Sequence, residues 1–126
     1  MGLLELRNLK PEIFRKRVVV EGFYEVEVDE EFIESFLIEL SRNLGMEIIV
    51  GPIVFSPDRY SKLHHGVGGY MAWVGSGVSI YTWREHRFFT LDVYSCIDFD
   101  VARLVSYVSS KLRCSDIVWC EVGYED

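Results

Sequence analysis

The chain has 126 residues, enough for one domain with a substantial core, and we predict a single domain over residues 1–126. Hydrophobic residues make up 49% of it and charged residues 26%, which is typical of a soluble globular protein. The net charge of −7 argues against nucleic acid as a partner, because phosphates attract Lys and Arg, and it suits a small cationic ligand.

Nothing in the sequence indicates a membrane or a secretory route. No apolar run reaches the roughly 18 residues that a membrane span requires. The first residues carry scattered charges and lack the apolar centre of a signal peptide. The three cysteines are an odd number without metal-like spacing, which fits a reducing compartment. We therefore expect a cytoplasmic protein without a bound metal.

The chain begins with an ambiguous segment, in which three leucines could pair at a sheet edge or lie over the surface: Leu3, Leu4 and Leu6. Residues 15–29 alternate apolar and acidic side chains, which predicts a strand. Gly22 in its middle predicts a bulge.

The clearest helix is predicted over Asp29–Leu44, where large apolar side chains recur every three or four residues. Asp29 can cap its start, and Gly45 can end it in the left-handed conformation. A second strand follows over Met46–Phe55. Its Gly51-Pro52 pair predicts a kink or an edge position.

The next segment, residues 56–69, reads as a loop. Its His64 and His65 are adjacent, so on an extended chain they point in opposite directions and seldom bind one metal ion. The glycine-rich run that follows lacks the G-K-[ST] ending of a phosphate-binding loop.

Three strands are predicted in succession over Tyr70–Val74, Val78–Trp83 and Phe88–Cys96. The turn at Gly75–Gly77 is short, as an antiparallel hairpin requires.

Asp98 is predicted to cap a second helix, and Ile117–Val122 to form the last strand. The order β-α-β-β-β-β-α-β predicts an α+β fold, a two-layer α/β sandwich whose antiparallel sheet carries both helices on one face.

Few residues have an evident chemical role. Ser76 between two glycines has an exposed hydroxyl, or is simply a turn residue. Cys96 at a strand end is a nucleophile or packs in the core. Asp92 lies on a strand.

The run GSGVSIYTWREHRFFTLDVYSC, from Gly75 to Cys96, resembles the core of the small prokaryotic S-adenosylmethionine decarboxylases. In that family a Glu-Ser-His turn precedes a Ser-Ile-His-Thr-Trp-Pro-Glu strand and an L-D-V-F-T-C-like strand. Upstream, Gly66–Gly69 resembles the family's Gly-Val-Ser-Gly, and VVVEGFYEV its first strand. The likeness covers residues 18 to about 120. It implies a two-layer α/β sandwich that forms a dimer or a dimer of dimers.

The resemblance implies a pyruvoyl-dependent carboxy-lyase of polyamine (spermidine) biosynthesis, acting on S-adenosylmethionine or a related cationic small molecule. By position, the bond between Gly75 and Ser76 would be the processing junction, and Ser76 would become the pyruvoyl group if the chain is cleaved there. Cys96 would donate a proton to the product, and Glu85 would bind the substrate's ribose.

The sequence also departs from the family pattern at the site. Gly75 replaces a glutamate of the family. Gly68 replaces the serine of the Gly-Val-Ser-Gly turn, and Tyr81 replaces the processing histidine. Tyrosine has a pKa near 10 and is a poor base at neutral pH. Lys62 stands where an aromatic side chain would stack on adenine, and Arg84 replaces a proline. These changes predict slow or absent self-cleavage.

Three hypotheses follow. The chain is an active S-adenosylmethionine decarboxylase in which His64, His65 or His86 replaces the missing base. Alternatively, it is an uncleaved relative that binds a ligand or pairs with an active paralogue as a regulatory subunit. The third is a pyruvoyl decarboxylase of another amino acid, because Lys62 and Gly68 alter the pocket. In each case we expect a homo-oligomer, and a Cys96 thiol that faces the Ser76 turn.

Overall fold

The structure of the chain, a computed structural model, describes residues 5–125; the expectation for Leu3 and Leu4 lies outside that range. Within it the chain forms eight strands and two helices. In chain order these are β1 (Glu5–Arg7), β2 (Lys16–Phe23), α1 (Glu30–Leu44), β3 (Ile48–Phe55), β4 (Gly68–Trp73), β5 (Ser76–Trp83), β6 (Phe88–Ser95), α2 (Val101–Leu112), β7 (Asp116–Glu121) and β8 (Gly123–Glu125).

Six strands form one antiparallel sheet in the order β3-β4-β5-β6-β2-β7, and both helices pack on the same face of it. The predicted two-layer α+β sandwich is therefore confirmed. β1 and β8 pair in parallel as a separate ribbon, with Leu6 opposite Tyr124. Of the two alternatives for this segment, Leu6 therefore pairs in a strand, but its partner β8 was not predicted, because a three-residue strand is too short to show a pattern. Neither helix of residues 5–125 is long and apolar enough to span a membrane.

The predicted caps are right for the first helix and wrong for the second. Asp29 accepts a hydrogen bond from the Phe32 backbone N–H at 2.7 Å, and Gly45 ends α1 with φ of 72°. α2 is capped by Asp100 instead of Asp98. The helix begins at Val101, so Asp98 lies two residues before the cap, and its carboxylate is 2.8 Å from the Lys16 ammonium group.

Strand β2 is shorter and more regular than predicted. It ends at Phe23 instead of Asp29, because its neighbours β6 and β7 supply no partner beyond Phe23. The predicted bulge at Gly22 is also wrong, since Gly22 pairs in register with Phe89 on one side and Ile117 on the other. Glycine is needed there because a Cβ would lie 2.4 Å from the Asp116 carbonyl oxygen.

The core lies between the helices and the sheet. Its largest fully buried side chains are Trp73, Phe36, Phe89, Ile33, Leu37, Leu40, Ile80, Leu91, Leu104, Leu112, Val18 and Val20. Burying one such side chain contributes roughly 1.5–3 kcal/mol, so the helix-covered face is held firmly. β3 lies at the sheet edge with register shifts around Gly51-Pro52, which confirms the prediction for that strand.

The other face of the sheet, called the open face here, is left uncovered by the helices. Large apolar side chains are exposed on it, among them Val19, Phe23, Val50, Ile53 and Tyr70. A cavity of about 600 Å³ lies on this face, between residues of β2, β3, β4, β5 and β6. The open face is therefore an apolar surface with a recess.

Candidate functional site

The predicted processing junction lies at one end of the sheet. Val74 and Gly75 form a two-residue turn between β4 and β5, so Ser76 begins a strand, which corrects the prediction that it lies in the turn. Gly75 has φ of 72°, a left-handed conformation that favours glycine. The Cys96 backbone N–H donates to the Gly75 carbonyl oxygen at 2.8 Å.

The Cys96 thiol faces this turn, as expected. Its sulfur lies 2.4 Å from where a Cβ on Gly75 would stand, so the thiol packs directly on the Gly75 backbone. A glutamate at position 75 would have to displace this sulfur and adopt a left-handed backbone. In this structure, therefore, the left-handed backbone and the Cys96 sulfur together favour glycine at position 75.

The Ser76 hydroxyl has a partner that sequence reasoning missed. Its Oγ lies 2.7 Å from the Oγ of Ser95, the residue directly opposite on β6. Ser95 is 0% exposed and points to the helix-covered face, like its strand neighbour Val93. Only the alternation of β6 could have indicated this position, because nothing in the sequence marks a buried serine as a contact of Ser76.

Gly68 and Tyr81 form a second group, away from the junction. They pair directly across β4 and β5. Tyr81 follows Ser76 by five residues along β5, which at ~3.3 Å per residue places it about 17 Å away. Its side chain also lies on the opposite face from the Ser76 side chain, because successive side chains alternate. Within one chain, therefore, Tyr81 cannot reach Ser76.

Tyr81 is held as a neutral phenol. Its hydroxyl contacts that of Tyr70 in a short hydrogen bond, which together with burial raises the pKa of Tyr81 to about 12. Nearby Asp92 on the open face adds to the shift by its charge, and burial raises the pKa of Asp92 as well. A phenol that stays neutral is a poor base at neutral pH.

The three histidines lie with Tyr81, at the sheet end far from Ser76. The His64 ring stacks on Trp83 at 4.1 Å and lies 6.2 Å from the Tyr81 ring. His64 Nε2 donates to the Thr82 carbonyl oxygen at 2.8 Å, so the neutral ring carries its lone pair on Nδ1. His86 belongs to the loop between β5 and β6. None of these histidines reaches Ser76 of its own chain.

Glu85 lies in the same loop and is exposed. Its carboxylate is 3.3 Å from His65 Nδ1. The adjacent Arg84 bonds to Asp58, which also accepts a hydrogen bond from the Gly66 N–H at 2.8 Å; this backbone bond is the main cause that lowers the pKa of Asp58. Lys62 is exposed on the loop that these contacts hold. Glu85 therefore lies at the same end of β5 as Tyr81, away from the junction, and the loop that carries Lys62 contacts it through His65.

In residues 5–125, no group of three His, Cys, Asp or Glu side chains is arranged to hold a metal ion. What the junction does bring together is a hydroxyl, a backbone carbonyl that accepts a hydrogen bond, and a thiol. These are the parts needed for acyl transfer to a hydroxyl next to a proton donor.

Comparison with known proteins identifies the fold and the family. An arginine decarboxylase proenzyme from Hyperthermus butylicus is 27% identical over 86 residues, which cover 68% of this chain and 58% of that protein, less than two thirds of its length. The crystal structure of the adenosylmethionine decarboxylase from Aquifex aeolicus VF5 has the same fold, with a TM-score of 0.69 at 21% identity over 90% of this chain and 93% of that one. Residues 16–123 match the family model of S-adenosylmethionine decarboxylase. Because that match covers most of the chain, the protein belongs to the S-adenosylmethionine decarboxylase family.

Proposed function

We propose that the protein is a cytoplasmic pyruvoyl-dependent decarboxylase of a cationic amino acid, which forms its cofactor by slow self-cleavage between Gly75 and Ser76. The observation that carries the proposal is the convergence of the Gly75 carbonyl, the Ser76 hydroxyl and the Cys96 thiol at one end of the sheet. This chain lacks the family's serine at position 68 and its histidine at position 81. Both positions are far from the junction of the same chain, so these replacements leave the junction intact.

Self-cleavage would begin with attack of Ser76 Oγ on the Gly75 carbonyl carbon. The new C–O bond replaces the C–N bond, and the hydroxyl proton ends on the Ser76 nitrogen. The Cys96 N–H would stabilise the negative charge that develops on the Gly75 oxygen. Elimination then releases Gly75 as a carboxylate, and water removes the nitrogen of Ser76 as ammonia to leave the pyruvoyl group.

The junction residues fit such a group. A pyruvoyl carbonyl condenses with the substrate amine and accepts electrons as carbon dioxide leaves. Cys96 is the protein's contribution to the next step, because its thiol packs on the junction and can give a proton to the product carbon. No carboxylic acid of residues 5–125 hydrogen-bonds to Gly75, Ser76 or Ser95.

A second copy of the chain would complete the site. The Tyr81 group is about 17 Å from Ser76 within one chain, so any help from it has to come from a neighbouring copy. The open face is the surface on which we place that copy, because it exposes apolar side chains around a recess of about 600 Å³. A homodimer, or a dimer of dimers, is the expected assembly.

The role of the open face can be tested with a matched pair of variants. Ile53 on the open face and Trp119 on the opposite side of the sheet, beside Val20, are both 52% exposed. We expect Ile53→Lys to produce monomers in light scattering and Trp119→Lys to leave the oligomer intact. A wild-type protein that is monomeric at micromolar concentration contradicts the proposal.

S-adenosylmethionine, as used in spermidine biosynthesis, is the first expected substrate. Because Glu85 is far from Ser76 of its own chain, the Glu85 that would bind the ribose hydroxyls is that of the neighbouring copy. Arginine is the alternative, supported by the printed name of the Hyperthermus relative and by Lys62 in place of the adenine-stacking aromatic residue. Both substrates carry a positive side chain, which suits a chain of net charge −7.

The experiment combines mass and turnover. Intact mass spectrometry after long incubation would show two fragments split before Ser76, and release of labelled carbon dioxide would be measured with each substrate. We expect partial cleavage of the wild type, with carbon dioxide release in proportion to the cleaved fraction. Ser76→Ala should show neither cleavage nor release. Release without cleavage, or cleavage without release from either substrate, contradicts the proposal.

A second function has its own supporting observation. With a pKa of about 12, Tyr81 is not a base at neutral pH, and Gly68 has no hydroxyl to assist. A chain that never cleaves would then be a ligand-binding or regulatory partner of an active paralogue. Wild-type protein that stays intact and forms a hetero-oligomer with an active family member would favour this function.

A further inference from the structure

We infer that Ser95 positions the Ser76 hydroxyl for its attack on the Gly75 carbonyl; the inference rests on the proposed self-cleavage. Ser95 is the last residue of β6 and is fully buried. Its Oγ makes three contacts: 2.7 Å to Ser76 Oγ, 2.5 Å to the Ile97 carbonyl oxygen and 2.9 Å to the Ile97 nitrogen.

These contacts decide the direction of the hydrogen bonds. A carbonyl oxygen only accepts, so the single Ser95 proton is donated to Ile97 O. The Ile97 N–H donates to Ser95 Oγ. Ser95 therefore has no proton left for Ser76, and the Ser76 O–H has to donate to Ser95 Oγ. Ser95 Oγ is therefore the acceptor for Ser76, and its own bonds to the Ile97 N–H and carbonyl group hold it in place.

The consequence is a Ser76 side chain held in one rotamer. A serine oxygen reaches the carbonyl carbon before it through a five-membered ring, so the rotamer controls the attack. In the proposed step the Ser76 O–C bond forms, the Gly75–Ser76 C–N bond breaks, and the proton passes to the Ser76 nitrogen. Ser95 gains and loses no atom in this step, so we describe it as a positioning residue.

A purely structural role is the competing explanation. In that case the Ser95 hydroxyl would serve only the Ile97 backbone, and its removal would lower stability without affecting Ser76. Ser41 provides a matched control, because it is also a buried serine (1% exposed) that donates to a backbone carbonyl, that of Ile38 at 2.6 Å, in helix α1.

The test compares Ser95→Ala, Ser95→Thr and Ser41→Ala with wild type in two measurements. The first is the rate of self-cleavage by intact mass spectrometry. The second is the Hα–Hβ coupling constants of Ser76 in uncleaved protein, which report its rotamer by NMR without any cleavage. Denaturant unfolding confirms that each variant is folded.

We expect Ser95→Ala to cleave about tenfold more slowly than wild type, in line with the loss of one hydrogen bond, and to show averaged couplings at Ser76. Ser95→Thr keeps the hydroxyl and should keep both properties, while Ser41→Ala should lose stability alone. A fixed Ser76 rotamer in Ser95→Ala, or cleavage at the wild-type rate, overturns the inference. If wild type never cleaves, the self-cleavage proposal fails by itself, and the couplings still decide whether Ser95 holds Ser76.

Discussion

Restoring a base at position 81 tests the proposed chemistry most directly. With a pKa of about 12, Tyr81 is ionised in only about one molecule in 10⁵ at pH 7. A histidine with a pKa near 6.5 is mostly unprotonated at pH 7.5. A positioned base typically contributes about 10²–10⁴-fold. We therefore expect the double variant Tyr81→His with Gly68→Ser to cleave on the order of 10²-fold faster than wild type, which should run mostly as one band.

The structure identifies the packing problem of this variant and its control. A Cβ at Gly68 would lie 2.5 Å from the tip of the Phe55 ring, which stacks on Tyr70, so that ring has to move. Tyr81→His with Gly68→Ala introduces the same Cβ without the hydroxyl. If the alanine version cleaves as fast as the serine version, the hydroxyl is irrelevant and only the base matters.

Because Tyr81 and Ser76 of one chain are about 17 Å apart, a base at position 81 has to act on Ser76 of a neighbouring chain. A double-variant chain that also carries Ser76→Ala cannot cleave itself, yet it should promote cleavage of isotope-labelled wild-type chains mixed with it. Two results would refute the two-copy reasoning. In the first, the double variant cleaves while it is monomeric. In the second, the double variant cleaves, but its Ser76→Ala version never promotes cleavage of the wild-type chains mixed with it. No cleavage in any variant would favour the unprocessed partner function.

Three further predictions concern stability. Gly75→Ala should lower the free energy of unfolding in urea by roughly 1–2 kcal/mol, the cost of a left-handed non-glycine residue, with more from displacing the Cys96 thiol; an unchanged value would contradict that contact. Asp100→Ala should cost about 1 kcal/mol by removing the α2 cap, and Asp98→Ala less, as urea unfolding of both variants would show; the reverse order would restore Asp98 as the cap. Burial raises the pKa of the Cys114 thiol to about 11, above its unfolded value of about 8.5. Its contribution to stability is therefore present below about pH 8.5 and lost as the pH rises through 11. The unfolding temperature should fall less steeply between about pH 9 and 11 in Cys114→Ala than in wild type, and an equal fall would exclude this thiol as the cause.

Much of the fold was predictable because local pattern and tertiary structure agree. The apolar repeat of α1 and its Asp29 and Gly45 ends predicted that helix correctly, since caps and periodicity are short-range properties. The six strands of the sheet were also predicted in order. The errors arose where local signals compete: Asp98 and Asp100 are both good caps, and in the structure Asp100 caps α2 while Asp98 pairs with Lys16.

The sequence by itself determined the family, the antiparallel sheet with two helices on one face, and the placement of Ser76 and Cys96 near one turn, because strand alternation and a nearly ungapped motif are readable along the chain. Only the tertiary structure decided which groups meet. The Ser76–Ser95 contact depends on strand register, and the thiol on Gly75 depends on a left-handed backbone. The separation of Tyr81 from Ser76 follows from a straight strand, which carries residues that are close in sequence to opposite faces and ends of the sheet.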